Sequence, residues 1–313
     1  MSIAKIVNNQ KLEKILINLI NALRINILMV DIHGKALLVP KTMGFGFYAS
    51  SQWGILQDIG KPDFLSKFKI DGNYSKAIDQ FGFQNFAIPV AGENLNIIAY
   101  LIVGPVILNK HLEQAQYQTI TKELNISATE FQESLNEIRV LSFNSLKTIL
   151  DLLFELSQYA VRIKQVEKPQ PQITHSIFTN ILELSMNIAQ AECGSIMLLN
   201  NITNELSILA SKGIDPKKLQ LSPMKLGEGL AGLAVQQRES FVVKENDNNR
   251  ISHLLKNPDL KCSLVMPIIK KNNEVLGVMN ISTREGKSRL ATHSQEMLKN
   301  LVDITTGTFN NFL

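Results

Sequence analysis

The sequence predicts an α+β fold of two domains, each an antiparallel sheet flanked by helices, with a long helix joining them. Three observations carry this. Apolar β-rich runs follow one another through tight turn residues, as hairpins do, and do not alternate with helices. Helical periodicity gathers at the ends of each half of the chain. A polar stretch with two prolines, Glu167-Lys168-Pro169-Gln170-Pro171-Gln172, then divides two segments that follow the same order of elements. The length of 313 residues suits two domains, and 45% hydrophobic with 19% charged residues supplies two cores.

In the first half, Leu12, Leu16, Leu19 and Leu23 share one helical stripe, with Ile15 and Ile20 beside it. Ile25 to Asp31 and Ala36 to Val39 read as strands around a His33-Gly34 turn. Gly44 to Asp63 is irregular and aromatic, the composition of a loop over a pocket. Phe86 to Val90 and Leu95 to Leu108 read as a hairpin around Ala91-Gly92-Glu93-Asn94. A helical region follows from Lys110 to Gln165, with a fresh start marked by a capping box of Ser127 and Glu130. Its last part repeats Leu146, Ile149, Leu153, Leu156, Ala160 and Ile163 at spacings of three and four. That seam fits either a helix packed on its own domain or a parallel dimer.

The predicted boundaries are therefore 1–165 for the first domain with its connecting helix, 166–172 for a linker, and 173–313 for the second domain. There Ile177, Ile181, Leu184 and Ile188 lie on one helical face. Ser195–Leu199 and Leu206–Ala210 read as paired strands, followed by the glycine-rich run Gly227-Glu228-Gly229-Leu230-Ala231-Gly232. Phe241-Val242-Val243 is a short strand, and Ser263–Ile269 with Val275–Ser282 is a hairpin. A closing helix from Ser294 has Thr292 and Gln295 as its capping box.

Composition excludes several classes. A net charge of +4 from 32 basic and 28 acidic residues, without a basic run of five, does not make a nucleic-acid surface. No apolar run reaches the roughly 18 residues of a membrane span, and the first residues are not a signal peptide. A soluble cytoplasmic protein is expected. Cys193 and Cys262 are too few for a disulfide framework, and the five histidines do not pair at zinc-ligand spacing. Gly227-x-Gly229-x-x-Gly232 spells a dinucleotide fingerprint, with Asp247 20 residues on from Gly227. The run before it contains Pro223 and does not read as the buried parallel strand that chemistry needs. Kinase, cyclase, P-loop, helix-turn-helix and nucleophile-elbow motifs are missing.

Ala191-Glu192-Cys193-Gly194-Ser195-Ile196-Met197-Leu198-Leu199, Ala210-Ser211-Lys212-Gly213, the glycine-rich run and the hairpin Ser263 to Ile281 resemble a GAF domain over 173–313. Ile27-Leu28-Met29-Val30-Asp31-Ile32-His33-Gly34, Ile88-Pro89-Val90 and Ile97 to Val106 resemble a PocR-type, PAS-like sensory domain, as does the tail carrying Phe131, Leu135, Ile138 and Val140. The resemblance implies modules that enclose a small molecule between sheet and covering segments. The expected function is a non-catalytic sensory protein that binds a ligand of unknown identity and signals through helices to a downstream protein partner, as a homodimer. No nucleic acid, membrane or metal is expected, and no cofactor can be named. A ligand-free interaction scaffold and a redox or haem sensor are the alternatives. The candidate ligand-binding residues are Phe45, Phe47, Tyr48 and Trp53 in the aromatic loop and Met197, Gly229, Met266 and Met279 in the second domain. For both groups ordinary core packing is the competing reading.

Overall fold

The computed structural model describes residues 10–40, 54–92, 96–123, 125–162, 171–215, 223–245, 260–284, 295 and 298–306. The chain divides into two compact units, Met1–Glu167 and Lys168–Leu313. Each is α+β with an antiparallel sheet at its centre.

The first unit opens with α1 (Gln10–Leu23), which buries Leu16, Leu19, Ile20 and Leu23 and packs on β1 (Ile27–Asp31). β2 (Ala36–Leu38) returns beside β1. Asp31 holds the intervening turn through Oδ1, which accepts from the His33 and Lys35 amides at 2.8 and 2.9 Å. Two 3₁₀ turns, Ile55–Asp58 and Leu65–Lys67, lead into β3 (Lys69–Asp71) and β4 (Tyr74–Ile78). β5 (Gln84–Ala91) and β6 (Ile97–Leu108) complete an order of β2-β1-β6-β5-β4-β3. Then come α2 (Gln114–Glu123), α3 (Ala128–Glu137), β7 (Arg139–Leu141) and α4 (Phe143–Arg162). β7 runs parallel to β6, with Val106 opposite Arg139.

Two elements depart from the sequence reading. The sequence reading lacks the β3–β4 hairpin, because most of its residues are polar and its two isoleucines, Ile70 and Ile78, are exposed. β7 falls inside the stretch read as helix; three residues are too few to show a period of two.

The seam of α4 is resolved in favour of packing. Leu146, Ile149, Leu153 and Leu156 are all buried, and α4 lies on β5, so these side chains are not available to a second chain. Ser157 Oγ and Gln158 Nε2 both donate to the Pro89 carbonyl at 3.2 Å, pinning the helix to that strand. The side chains of Ala160 and Ile163 lie outside the described residues, and with the other four turned inward the seam no longer argues for a homodimer.

The second unit begins with α5 (Pro171–Ala189). Its first residue is a proline that the sequence reading placed in the linker. Proline is well suited there, because a first helical residue has no intrahelical use for an N–H. β8 (Cys193–Asn200), β9 (Glu205–Lys212), β10 (Met224–Lys225), α6 (Gly229–Gln237), β11 (Phe241–Lys244), β12 (Cys262–Ile269) and β13 (Val275–Thr283) follow. Residues 298–306 are helical. The sheet order is β10-β9-β8-β13-β12-β11. α5 covers one face: a Cβ on Gly194 would meet Leu182 and Met186 of that helix. α6 covers the other, where Leu230, Ala231, Ala234 and Val235 pack with Val243, Val265 and Val278.

The glycine-rich run makes the tight entry to α6. Gly227 and Gly229 have φ of +78° and +59°, and Gly232 lies against the backbone of β10. β10 is an antiparallel edge strand beside β9, so the geometry is not that of a dinucleotide site. Alanine normally improves a helix interior by about 1 kcal/mol over glycine. At Gly232 the sign should reverse, because a Cβ would stand 2.5 Å from the Lys225 carbonyl oxygen. Gly232→Ala is expected to lower stability by about 1–3 kcal/mol in urea unfolding of the full chain.

Candidate functional site

The face of the first sheet beneath the 3₁₀ turns is built by alternation along four strands. Leu28 and Val30 of β1, Ala77 of β4, Ala87 of β5 and Ile102 of β6 form one cluster with Leu56, Phe64 and Phe68 from the covering segment. Register places Ala87 opposite Ile102 and Ile102 opposite Leu28, so these side chains form a row across the sheet. The intervening residues, such as Phe86 and Ile88, point to the opposite face. There Phe86 meets the Tyr74 ring edge-on at 5.7 Å, and the charges of Asp151 and Lys147 of α4 act on Tyr74.

One polar side chain interrupts the covered face. Asn85 pairs with Ala77 and shares a face with Ala87. It is 0% exposed, and neither Oδ1 nor Nδ2 has a hydrogen-bond partner. A buried amide ordinarily finds partners, and leaving one without them costs about 1–3 kcal/mol. The neighbouring strand makes room for it. The β5–β6 register slips by one between Gln84 and Phe86, opposite Gly104. A Cβ on Gly104 would stand 2.7 Å from Asn85 Oδ1 and 2.8 Å from the Gln84 carbonyl oxygen, so the amide lies over the bare glycine backbone. Gly104 itself has φ +134°, a conformation open to glycine, and its N–H donates to the buried Asn26 carbonyl at 3.0 Å.

Asp79 sits two residues beyond Ala77, in the turn just after β4. Its Oδ1 accepts the amides of Phe81 and Phe83 at 3.0 Å each, and the amide of Ile55 also bonds to this carboxylate. The Asp79 side chain therefore ties the β4–β5 turn to the covering segment. Oδ2 is buried and unpartnered. Burial pushes the carboxyl up to about 6, against the lowering effect of the three amides. Its charge in turn contributes to the raised pKa of Tyr117, whose main cause is burial in the adjoining cluster of Phe81, Phe83 and Phe131. The cations of the covering segment are committed elsewhere: Lys61 and Lys67 both pair with Asp58.

In the second unit the face under α6 carries a polar row of a different kind. Cys193, Ser282 and Ser263 are neighbours across β8, β13 and β12, and Ser195 stands beside Asn280. Ser263 Oγ and Ser282 Oγ are 2.6 Å apart, and Ser282 Oγ is 3.3 Å from Asn280 Oδ1. The Cys193 thiol donates to the Ser282 carbonyl at 3.4 Å. These groups largely satisfy one another.

The predicted site residues are dispersed. Phe45, Phe47, Tyr48 and Trp53 lie outside the described residues. Met197 is on the α6 face, packed against that cluster, and Gly229 opens α6. Met266 and Met279 pair with each other and with Ile196 on the α5 face, both buried, so they share no wall with Met197. Period-2 alternation puts Met266 and Met279 on the face opposite Met197, where they pack in the core. Cys262 pairs with Thr283 and points to the α5 side, whereas Cys193 points to the α6 side, with β13 between their strands. That geometry does not bring two thiols to disulfide distance, and burial raises the Cys193 pKa. His33, His111 and His175 are exposed. Among the described residues no group of three His, Cys, Asp or Glu could hold a metal ion, and no helix is long and apolar enough to cross a membrane. Asn85 and Asp79 were missed; the available signal was an amide inside an otherwise apolar strand.

Two family models match the chain: a sensory domain found in PocR over residues 80–165, and a GAF domain over residues 174–306. No curated protein matches. Among solved structures, the GAF domain of an Acinetobacter phosphoenolpyruvate-protein phosphotransferase is 20% identical, with 54% of this chain and 95% of that one covered at a TM-score of 0.39. The corresponding Coxiella burnetii domain is 18% identical, with 53% and 95% covered, also at 0.39. A free methionine-R-sulfoxide reductase from Neisseria meningitidis is 15% identical, with 55% and 93% covered at 0.40.

The raised Asp79 carboxyl makes a signed prediction. The folded chain holds this proton up to pH about 6, whereas the ordinary value is 3.8. The contribution is therefore fully present below 3.8 and is lost as pH rises through about 6. At neutral pH the loss amounts to about 3 kcal/mol. Asp79→Asn keeps an oxygen for the amides and has no proton to lose. Urea unfolding from pH 4.5 to 8 should show the variant gaining on the wild type up to about pH 6 and holding a constant lead above it.

Proposed function

We propose that this chain, which carries a PocR sensory domain followed by a GAF domain, is a regulator that binds a small molecule on the covered face of its first sheet and performs no chemistry of its own. The Asn85 carboxamide, wholly buried and unpartnered, is the observation that carries this reading. A polar group that costs stability in the free protein is accounted for if a ligand completes it. The surrounding wall of Leu28, Val30, Phe64, Phe68, Ala87 and Ile102 suits a ligand with an apolar body and a small polar head.

A route from ligand to partner follows from the strand. Asn85 and Pro89 both belong to β5, and the Pro89 carbonyl holds Ser157 and Gln158 of α4. A ligand that shifts β5 acts directly on the helix that leads, in sequence, toward the second unit. The ligand must bind one arrangement of β5 and α4 more tightly than another for this to signal. A downstream protein in the cytoplasm reads the change.

Asn85→Leu separates the roles of this residue. Replacing an unpaired buried amide with an apolar side chain of similar size should raise the stability of the ligand-free chain by about 1–3 kcal/mol. Native mass spectrometry of the wild type is expected to show a small-molecule adduct that leaves on activation, and the same variant should lose it. A wild-type chain that carries no adduct, and whose melting temperature no member of a metabolite library raises, would overturn the proposal.

A further inference from the structure

The three unpartnered atoms on the covered face specify a ligand group. They are Asp79 Oδ2, Asn85 Oδ1 and Asn85 Nδ2. Asp79 lies in the turn just after β4 and continues the ladder through its N–H bond to the Phe83 carbonyl, which sets it diagonally across the hairpin from Asn85, the partner of Ala77. Such positions are about 7–8 Å apart at Cα, within reach of one planar group held between two short side chains. Ionised Asp79 only accepts, and the Asn85 amide accepts at one end and donates at the other. The site thus needs two hydrogens and, for the two N–H groups of Asn85, at least one lone pair. Turning the Asn85 amide over exchanges its two ends and leaves that demand unchanged.

We infer, resting on the binding reading above, that the ligand presents an NH₂ group beside an acceptor atom: a primary carboxamide, a urea, or the amino edge of a heteroaromatic ring. One N–H goes to Asp79 Oδ2, the other to the Asn85 oxygen, and the ligand acceptor receives the Asn85 N–H. The other common heads fail on count or charge. A hydroxyl has one hydrogen. A carboxylate has none, and the apolar cluster lining the face contains no cation to balance it. An ammonium supplies hydrogens but leaves Asn85 Nδ2 without an acceptor. The apolar wall requires that the rest of the ligand be small and hydrophobic.

The test uses the full chain and four probes of one shape: benzamide, benzoate, benzyl alcohol and benzylamine. 2-Aminopyridine serves as the heteroaromatic arm. Thermal shift and isothermal titration at pH 7.5 should show benzamide or 2-aminopyridine binding at least tenfold more tightly than the other three, and which of the two binds tells the carboxamide from the ring edge. Asn85→Leu should abolish binding. Asp79→Asn, which turns an acceptor-only carboxylate into an amide, should weaken it about tenfold or more. Benzylamine binding tighter than benzamide in an Asp79-dependent way would overturn the inference in favour of a cation site. A co-purified adduct that depends on Asn85 but lacks an NH₂ group would overturn it while leaving the sensory reading standing. If no probe and no library compound binds in an Asn85-dependent manner, the sensory reading falls with it.

Discussion

The pairing of the first strand of each unit with a strand far along the chain is the constraint on which the rest of the structure depends. β1 lies against β6 and β8 against β13, so the centre of each sheet is made from segments far apart in sequence. The strands between them flank the central pair on both sides, so the chain must cross from one edge to the other, from β2 to β3 in the first unit and from β10 to β11 in the second. In the first unit that excursion lays Ile55–Asp58 and Leu65–Lys67 over the row from Val30 to Ala77; in the second it lays α6 over the row from Met197 to Val243. A face enclosed by chain that is not itself sheet is therefore a consequence of topology. The two units share it although their covering segments differ, one built from short turns and the other from a glycine-initiated helix.

Within the first unit the same pairing makes Asn85 possible. β6 is gripped by β1 on one side and β5 on the other, so a slip in one ladder cannot spread into the other strand. It is absorbed at Gly104, which has no side chain to collide with Gln84 or Asn85 and whose amide is held by Asn26. An ordinary residue there would be strained in its backbone and would fill the space the amide occupies. Gly104 and Asn85 thus act as one device. The glycine supplies room above a central strand, and the amide places hydrogen-bonding capacity in that room. Evolution readily removes a cost of this kind, since a leucine would fit the apolar wall. On the binding reading proposed above, the amide holds a site ready at some loss of stability.

The elements that could be read from the sequence were those whose pattern repeats. The hairpins of β5–β6 and β12–β13, the stripe of α1 and the entry to α6 all carried local signals, and the structure has them. The β3–β4 hairpin had only a Gly72-Asn73 turn between polar residues, and β7 was too short for any period. The seam of α4 shows a deeper limit. Spacings of three and four reveal an apolar face but not what covers it, and β5, distant in sequence, does so here. The methionines show the matching limit for sheets. Met197, Met266 and Met279 are alike in chemistry, yet register puts one under α6 and two under α5. Candidate residues were sought among soft and aromatic side chains, whereas the informative ones were polar groups where a strand should have been apolar.

The two covered faces differ in what they leave undone. Under α6 the polar atoms meet one another: Ser263 with Ser282, Ser282 with Asn280, Cys193 with the Ser282 carbonyl. Such a network is complete without a guest and stabilises the sheet that contains it. Under the 3₁₀ turns Asp79 Oδ1 is satisfied by the Phe81 and Phe83 amides while Oδ2 has no partner, and Asn85 satisfies neither end. A low-dielectric surrounding strengthens a hydrogen bond that is made and magnifies the cost of one that is not. On the reading proposed above, a ligand that met Asn85 would form its hydrogen bonds in that same apolar surrounding. The asymmetry between the two units lies in hydrogen bonding, not in fold.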